Sequence, residues 1–207
     1  DIGLNAIHPI IIILVIGFLA YRYSGKTLAI FSIVTMILIG LMGLWEETLT
    51  TLAMVISAVL FCAIAGIPIG IAAGRSDRFE MIVRPILDAM QTTPSFVYLI
   101  PIVMLFSVGN VAGVLATIIF ALPPIIRLTS LGLRQVHPEL VEAAQAFGAT
   151  NFQVLMRVQI PLAMASILAG LNQTIMMALS MVVIAAMIGA GGLGAPVILG
   201  LNTLDIG

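Results

Sequence analysis

Charge is what this sequence has least of. Asp, Glu, Lys and Arg make up 8% of its 207 residues, against about 25% in a soluble domain. Hydrophobic residues reach 61%, and the mean hydropathy is +1.24. Such a chain cannot solvate its surface in water, which excludes a soluble enzyme and a disordered protein. Its eight Lys and Arg residues are scattered, so there is no basic footprint for nucleic acid. The single cysteine, Cys62, excludes a disulfide framework and a cysteine-based metal site. His8 and His137 lie far apart in the chain, so no metal-ligand set is expected.

What remains is the composition of an all-α polytopic membrane protein. A spanning helix needs roughly 20 mostly apolar residues. Uncharged runs cover residues 2–21, 27–45, 48–74, 89–126 and 158–204. The fourth is too long for one helix and breaks at Ser107-Val108-Gly109-Asn110; the fifth holds one span, about 162–188, followed by a glycine-rich tail. About six spans are predicted, two of them in a peripheral N-terminal unit over 1–47, the rest in a core over 48–207.

The basic residues alternate with the spans. Arg22 and Lys26 follow the first; Arg75, Arg78 and Arg84 follow the third; Arg127, Arg134 and Arg157 flank the segment between the fifth and sixth. The opposite connections carry Glu46, Glu47 and Asp205. The positive-inside rule makes the basic side cytoplasmic and puts Asp1 and Gly207 outside. No basic segment precedes the first span, so it does not read as a signal peptide. A start at Asp rather than Met predicts missing N-terminal residues, and a further helix after Gly207 is expected.

Ionisable groups inside a bilayer usually mark a proton or ion pathway, and the six predicted interiors contain none. Uphill transport would then draw its energy from a partner, although sodium coupling through backbone carbonyls stays open. The third span carries Ala58, Cys62, Gly66, Gly70 and Gly74 at intervals of four, a small-residue stripe for close helix packing or for an interface that moves. Mild polarity lies in Gln91, Thr93, Ser95 and Tyr98 of the fourth span and in Asn172, Gln173 and Ser180 of the sixth. Interhelical hydrogen bonding and a polar substrate pathway both fit these residues; adjacent amides at mid-depth favour the pathway.

The longest polar stretch, about 128–161, predicts two helices. Pro138 opens the first, Gly148 ends it, and Thr150 with Gln153 three residues on forms a capping box for a second that runs to Pro161. A short helix presenting Ala143, Ala144 and Ala146 beside Glu139 and Glu142 suits insertion into a partner's groove; a solvated face explains the two glutamates equally well.

Glu142-Ala143-Ala144, then Gly148, then Val158, Ile160 and Pro161 resemble the EAA motif of membrane subunits of ABC importers, with Val and Ile in place of the usual Ile and Leu. The stretches 88–94, 96–101, 120–127 and 172–185 are similar to the permease subunit of glycine betaine/proline betaine importers. The resemblance covers roughly 48–207. It implies a type I importer fold with two copies of this subunit, two cytoplasmic ATPase subunits, and an external binding protein or fused binding domain. In that family the loop docks on the ATPase, which implies ATPase-coupling roles for Glu139, Glu142, Ala143, Ala144, Gly148, Ala149 and Pro161. ATP and Mg would belong to the partner, leaving this chain a non-enzymatic translocating subunit in a prokaryotic cell membrane. Relatives take betaines, choline, carnitine or trimethylamine N-oxide. An importer for methionine or a sulfonate, and an ATP-independent secondary transporter, are the rival readings.

Gly189, Gly191 and Gly194 spell GxGxxG. That fingerprint works between a strand and a helix; after a membrane span it predicts a tight turn instead.

Overall fold

The computed structural model describes residues 9–203, which are helical with no strand among them. The expectations for Asp1, His8, Asp205 and Gly207 lie outside the described residues.

Two apolar helices come first, α1 (Pro9–Ser24) and α2 (Lys26–Leu41), linked through Gly25 at φ +92°. They pack on each other and touch the rest only slightly. At 16 residues each they rise about 24 Å, shorter than the spans expected. α3 (Trp45–Arg75) is the longest single α-helix, with Pro68 in its interior. α4 (Asp77–Thr92) begins at a Ser76 N-cap, whose hydroxyl accepts from the Phe79 amide. α5 (Ser95–Phe106) follows after a bend of 98°. Then come α6 (Asn110–Arg134), α7 (Pro138–Ala146), α8 (Asn151–Val154), α9 (Ile160–Ala185) and α10 (Gly194–Thr203).

By length and composition, three helical stretches can cross a membrane: α3, α6 and the continuous run Asn151–Ile188. The bent pair α4–α5 raises the number to four, and α1 and α2 are shorter apolar helices. The all-α membrane architecture is as expected, while full-length spans are fewer than six.

Two expectations about breaks need correcting. The break at 107–110 is present, with Ser107 at φ +65° and Gly109 at φ +136°. A second break, bent by 98°, falls at Thr93-Pro94, inside what reads in the sequence as one span. Proline drives the residue before it out of the helical region, and Thr93 sits at ψ 127°. Conversely, Pro161 does not end its helix. Residues Leu155–Gln159 form a π turn in which the Ile160 amide donates to the Leu155 carbonyl, and the helix runs on to Ala185. The wider turn relieves the clash a proline ring makes with the carbonyl four residues back.

The core is α6 wedged between α3 and α9. Ile125, Ala121, Ala116, Met181, Ala178, Cys62 and Ala58 are fully buried there. The small-residue stripe of α3 fits α6 turn by turn. Cys62 Sγ lies 3.7 Å from the Ile118 carbonyl, Gly66 faces Ile125, Gly70 faces Thr129 and Gly74 faces Leu133. Without a hydrophobic drive between helices in lipid, such close van der Waals contact is what holds them. Gly170 of α9 meets Ile125 and Leu128 in the same way, and Gly132 meets Ser166.

Candidate functional site

The segment after α6 is built for exposure. α7 has no buried residue, and Glu139, Glu142 and Ala143 are all exposed, with Ala144 half-buried. Pro138 stands in its first turn, where a missing N–H costs nothing. The helix closes with a Schellman pattern: Gly148 N–H donates to the Gln145 carbonyl at 2.9 Å and Ala149 N–H to the Ala144 carbonyl at 3.1 Å. Gly148 makes this possible at φ +83°, with no atom within 4 Å of where a Cβ would stand.

The next helix starts on a full capping box. Gln153 N–H donates to Thr150 Oγ1 at 3.4 Å, and Thr150 N–H donates to Gln153 Oε1 at 2.9 Å. A Gln145 Nε2 to Asn151 Oδ1 hydrogen bond of 3.4 Å ties the two helices together. The result is an elbow capped on both sides of its turn and standing off the bundle. At its apex Phe147 is 93% exposed, and Phe152 is exposed nearby. A cleft lined by Ala144, Phe147, Gly148, Ala149, Arg157 and Val158 runs along it. Phe147 is the residue that sequence reasoning missed: a lone aromatic in an alanine-rich helix reads as a packing residue, and only the exposure separates it from one. Pro161 lies beyond the π turn, exposed at the start of α9.

The polar residues of the two mid-chain spans fall into two places. Gln91, Thr93, Ser95 and Tyr98 gather at the α4–α5 bend. There Thr93 Oγ1 donates to the Ala89 carbonyl at 2.7 Å, and the Tyr98 hydroxyl reaches back to the Met90 carbonyl. The Ala89 carbonyl also accepts the Thr93 amide at 3.1 Å, while the Tyr98 hydroxyl serves the Met90 carbonyl, whose helical donor would be the missing N–H of Pro94. Asn172, Gln173 and Ser180 lie on α9 and are exposed. Asn172 and Met176 each stand two residues on from a buried neighbour, Gly170 and Thr174. That is about 200° round the helix, so they point away from α6. Ser180 Oγ donates to its own Met176 carbonyl at 3.0 Å. The two groups of polar residues share no hydrogen bond among the described residues.

The glycine cluster is a tied turn. Gly189 and Gly192 take φ +72° and +93°. Gly191 N–H donates to Asn110 Oδ1 at 2.7 Å and Leu193 N–H to Thr51 Oγ1 at 2.9 Å, anchoring the turn to the starts of α6 and α3.

At the other end of these helices sits a charged cluster. Arg134 bonds Asp77 at 2.6 Å, Glu80 at 2.7 Å and the Ala73 carbonyl at 2.8 Å. Arg127 pairs with Asp88. Arg127 and Arg134, near the end of the fifth predicted span, thus meet Asp77, Glu80 and Asp88 of the connection after the third at one end of the bundle, as the alternation of basic residues in the sequence requires.

Residues 66–207 match a family profile described as the binding-protein-dependent transport system inner membrane component. The chain is 56% identical over 195 residues to the glycine betaine/proline betaine transport system permease protein ProW of Escherichia coli strain K12, covering 94% of this chain and 55% of that protein. It is 48% identical over 205 residues to the glycine betaine transport system permease protein OpuAB of Bacillus subtilis strain 168, covering 99% and 73%. Against the trimethylamine N-oxide transport system permease protein TmoV of Pelagibacter ubique identity is 43% over 189 residues, covering 91% and 26%. The chain thus spans about half the length of the Escherichia coli relative. Among solved structures, the inward facing MetNI methionine ABC transporter superposes with a TM-score of 0.69 at 24% identity, covering 79% of this chain and 81% of that one. That likeness is one of fold.

Proposed function

The chain belongs to the family of binding-protein-dependent transport system inner membrane components, and from that premise we propose that it is the membrane-spanning subunit of an ATP-driven importer of glycine betaine or a related methylated amine. It moves solute and hydrolyses nothing itself; ATP and Mg act on a partner subunit. The identities to betaine and trimethylamine N-oxide permeases support the substrate class.

The observation that carries the mechanism is the elbow of α7 and α8. A short helix with no buried residue, closed by a Schellman turn and followed at once by a capping box, presents its side chains outward where a partner can seat on them. In this reading it seats in a groove of a cytoplasmic ATPase, and the π turn passes the displacement into α9. Two such subunits meet two ATPases. The outward face of α9, with Asn172, Gln173 and Ser180, lines the solute path opposite a second copy. The bend bearing Gln91, Thr93, Ser95 and Tyr98 borders that path. An external binding protein or fused domain delivers the solute, and the basic end of the bundle faces the cytoplasm.

The test is uptake of labelled glycine betaine into proteoliposomes holding the full-length permease, ATPase and binding protein, with ATP on the ATPase side. ATP-dependent uptake lost in Glu142→Ala supports the reading. Uptake without ATP overturns it in favour of secondary transport.

A further inference from the structure

The charged end of the bundle holds a cavity that the proposed transport cycle does not use. It opens between α4 and α6 with a volume of about 440 Å³. Its rim carries the guanidinium groups of Arg84, Arg127 and Arg134 against the carboxylate of Glu80, while Val83, Leu87 and Leu131 form its apolar wall. Asp88 and Asp77 pair with Arg127 and Arg134 from the solvent side, 53% and 85% exposed. Arg84 has no carboxylate partner among the described residues.

Two further donors on this lining are unused. Ser130 is 5% exposed and its Oγ has no partner, and the Nε of Arg127 is buried without one. A buried donor left unpaired has lost its water without gaining a partner, so both favour an acceptor oxygen brought into the cavity. We infer that this cavity is a binding site for the phosphate of an anionic phospholipid, its headgroup held by Arg84, Arg127 and Ser130 and its acyl chain laid along the Val83, Leu87 and Leu131 wall. A free oxyanion would satisfy the donors and leave the apolar wall wet. A lipid satisfies both, and the position suits it: the cavity lies at the ends of two helices long enough to span, beneath an α4 whose Phe79, Ile82 and Ile86 are exposed on one apolar side. Basic pockets between helices near a membrane surface bind lipid headgroups by this chemistry.

The experiment is native mass spectrometry of the full-length permease complex in detergent, titrated with phosphatidylglycerol, with phosphatidylcholine of the same chains, and with inorganic phosphate. The expected result is tight retention of phosphatidylglycerol, weakened about tenfold in Arg84→Gln and restored in Arg84→Lys, with phosphatidylcholine unaffected by either. Arg84 is exposed, so its replacement leaves folding intact; Ser130→Ala provides a second, buried probe and is expected to weaken retention as well. Equal retention of phosphatidylglycerol by wild type, Arg84→Gln and Ser130→Ala overturns the site. Arg84-dependent binding of inorganic phosphate that displaces the lipid overturns the lipid assignment. Neither outcome bears on whether the complex transports solute.

Discussion

Gly70 of α3 lies against Thr129 of α6 so closely that a Cβ on the glycine would stand 2.6 Å from the threonine Cβ and 2.8 Å from the Ile126 carbonyl. Backbone cannot yield to a methyl group as a flexible side-chain tip can. Gly70→Ala is therefore expected to push α3 off α6 and to destabilise the subunit by about 1–3 kcal/mol, the usual cost of overpacking. Gly40→Ala is the control, since its nearest neighbour is Trp45 at 4.0 Å. Melting of the purified protein in detergent reads the difference: a clear fall in Tm for the first and none for the second. Equal Tm values would mean that the seam is not tightly packed.

That seam was legible in the sequence because an interval of four repeated through Ala58, Cys62, Gly66, Gly70 and Gly74 can only line one face. The caps of α7 and α8 were legible for the same kind of reason: Pro138, Gly148, Thr150 and Gln153 each act locally, within a few residues. The bend at Thr93-Pro94 was hidden beneath a longer-range pattern. The sequence stays uncharged from Ala89 straight through it, so an uncharged run of span length does not set the proline apart. Pro161 misled in the opposite sense, because a π turn can carry a helix past a proline and leaves no compositional mark. Asn172 and Gln173 show the limit of the candidate site. Their spacing gives them a common region of one helix, but only the fold shows that this region is exposed and faces away from α6.

Arg134 is the clasp between α4 and the bundle. It joins Asp77, Glu80 and the last turn of α3 through the Ala73 carbonyl, whereas α4 buries only Leu87. Partly exposed ion pairs contribute about 0.2–1 kcal/mol each, and the bond to a carbonyl adds about 1.5 kcal/mol or more because the donor is charged. Arg134→Ala is expected to speed amide hydrogen exchange across 77–92 by roughly tenfold. Asp77→Asn should change it far less, because Asp77 is 85% exposed and screened by solvent. If the two variants exchange alike, the carbonyl bond contributes nothing and α4 is held by packing alone.

Gly148 separates backbone strain from packing, since φ is +83° and no atom crowds its missing side chain. An L-residue there costs about 1–2 kcal/mol in the left-handed region, while Asn tolerates it better. Gly148→Ala should fray α7 from its C-terminal end and reduce coupled uptake, and Gly148→Asn should retain most of both. Exchange of the Gly148 and Ala149 amides, which donate to Gln145 and Ala144, follows the fraying directly. Identical behaviour of the Ala and Asn variants would locate the effect in the added side chain rather than the backbone.

Phe147 makes the sharpest claim about the partner. Because it is 93% exposed, its truncation removes almost no packing from this chain, and Phe147→Ala should leave Tm within a degree or so, as surface substitutions do. An aromatic side chain at the apex of a docking element is the kind of residue that dominates an interface, where truncation costs about 2 kcal/mol or more. The same variant is therefore expected to weaken assembly with the ATPase at least tenfold, measured by co-purification or by titration of the ATPase onto nanodisc-embedded permease. Glu142→Ala, at a charged and exposed position, should weaken assembly less while still impairing uptake. A Phe147→Ala subunit that binds its ATPase as tightly as wild type would show that the elbow docks through its alanine face, with the phenylalanine left in solvent.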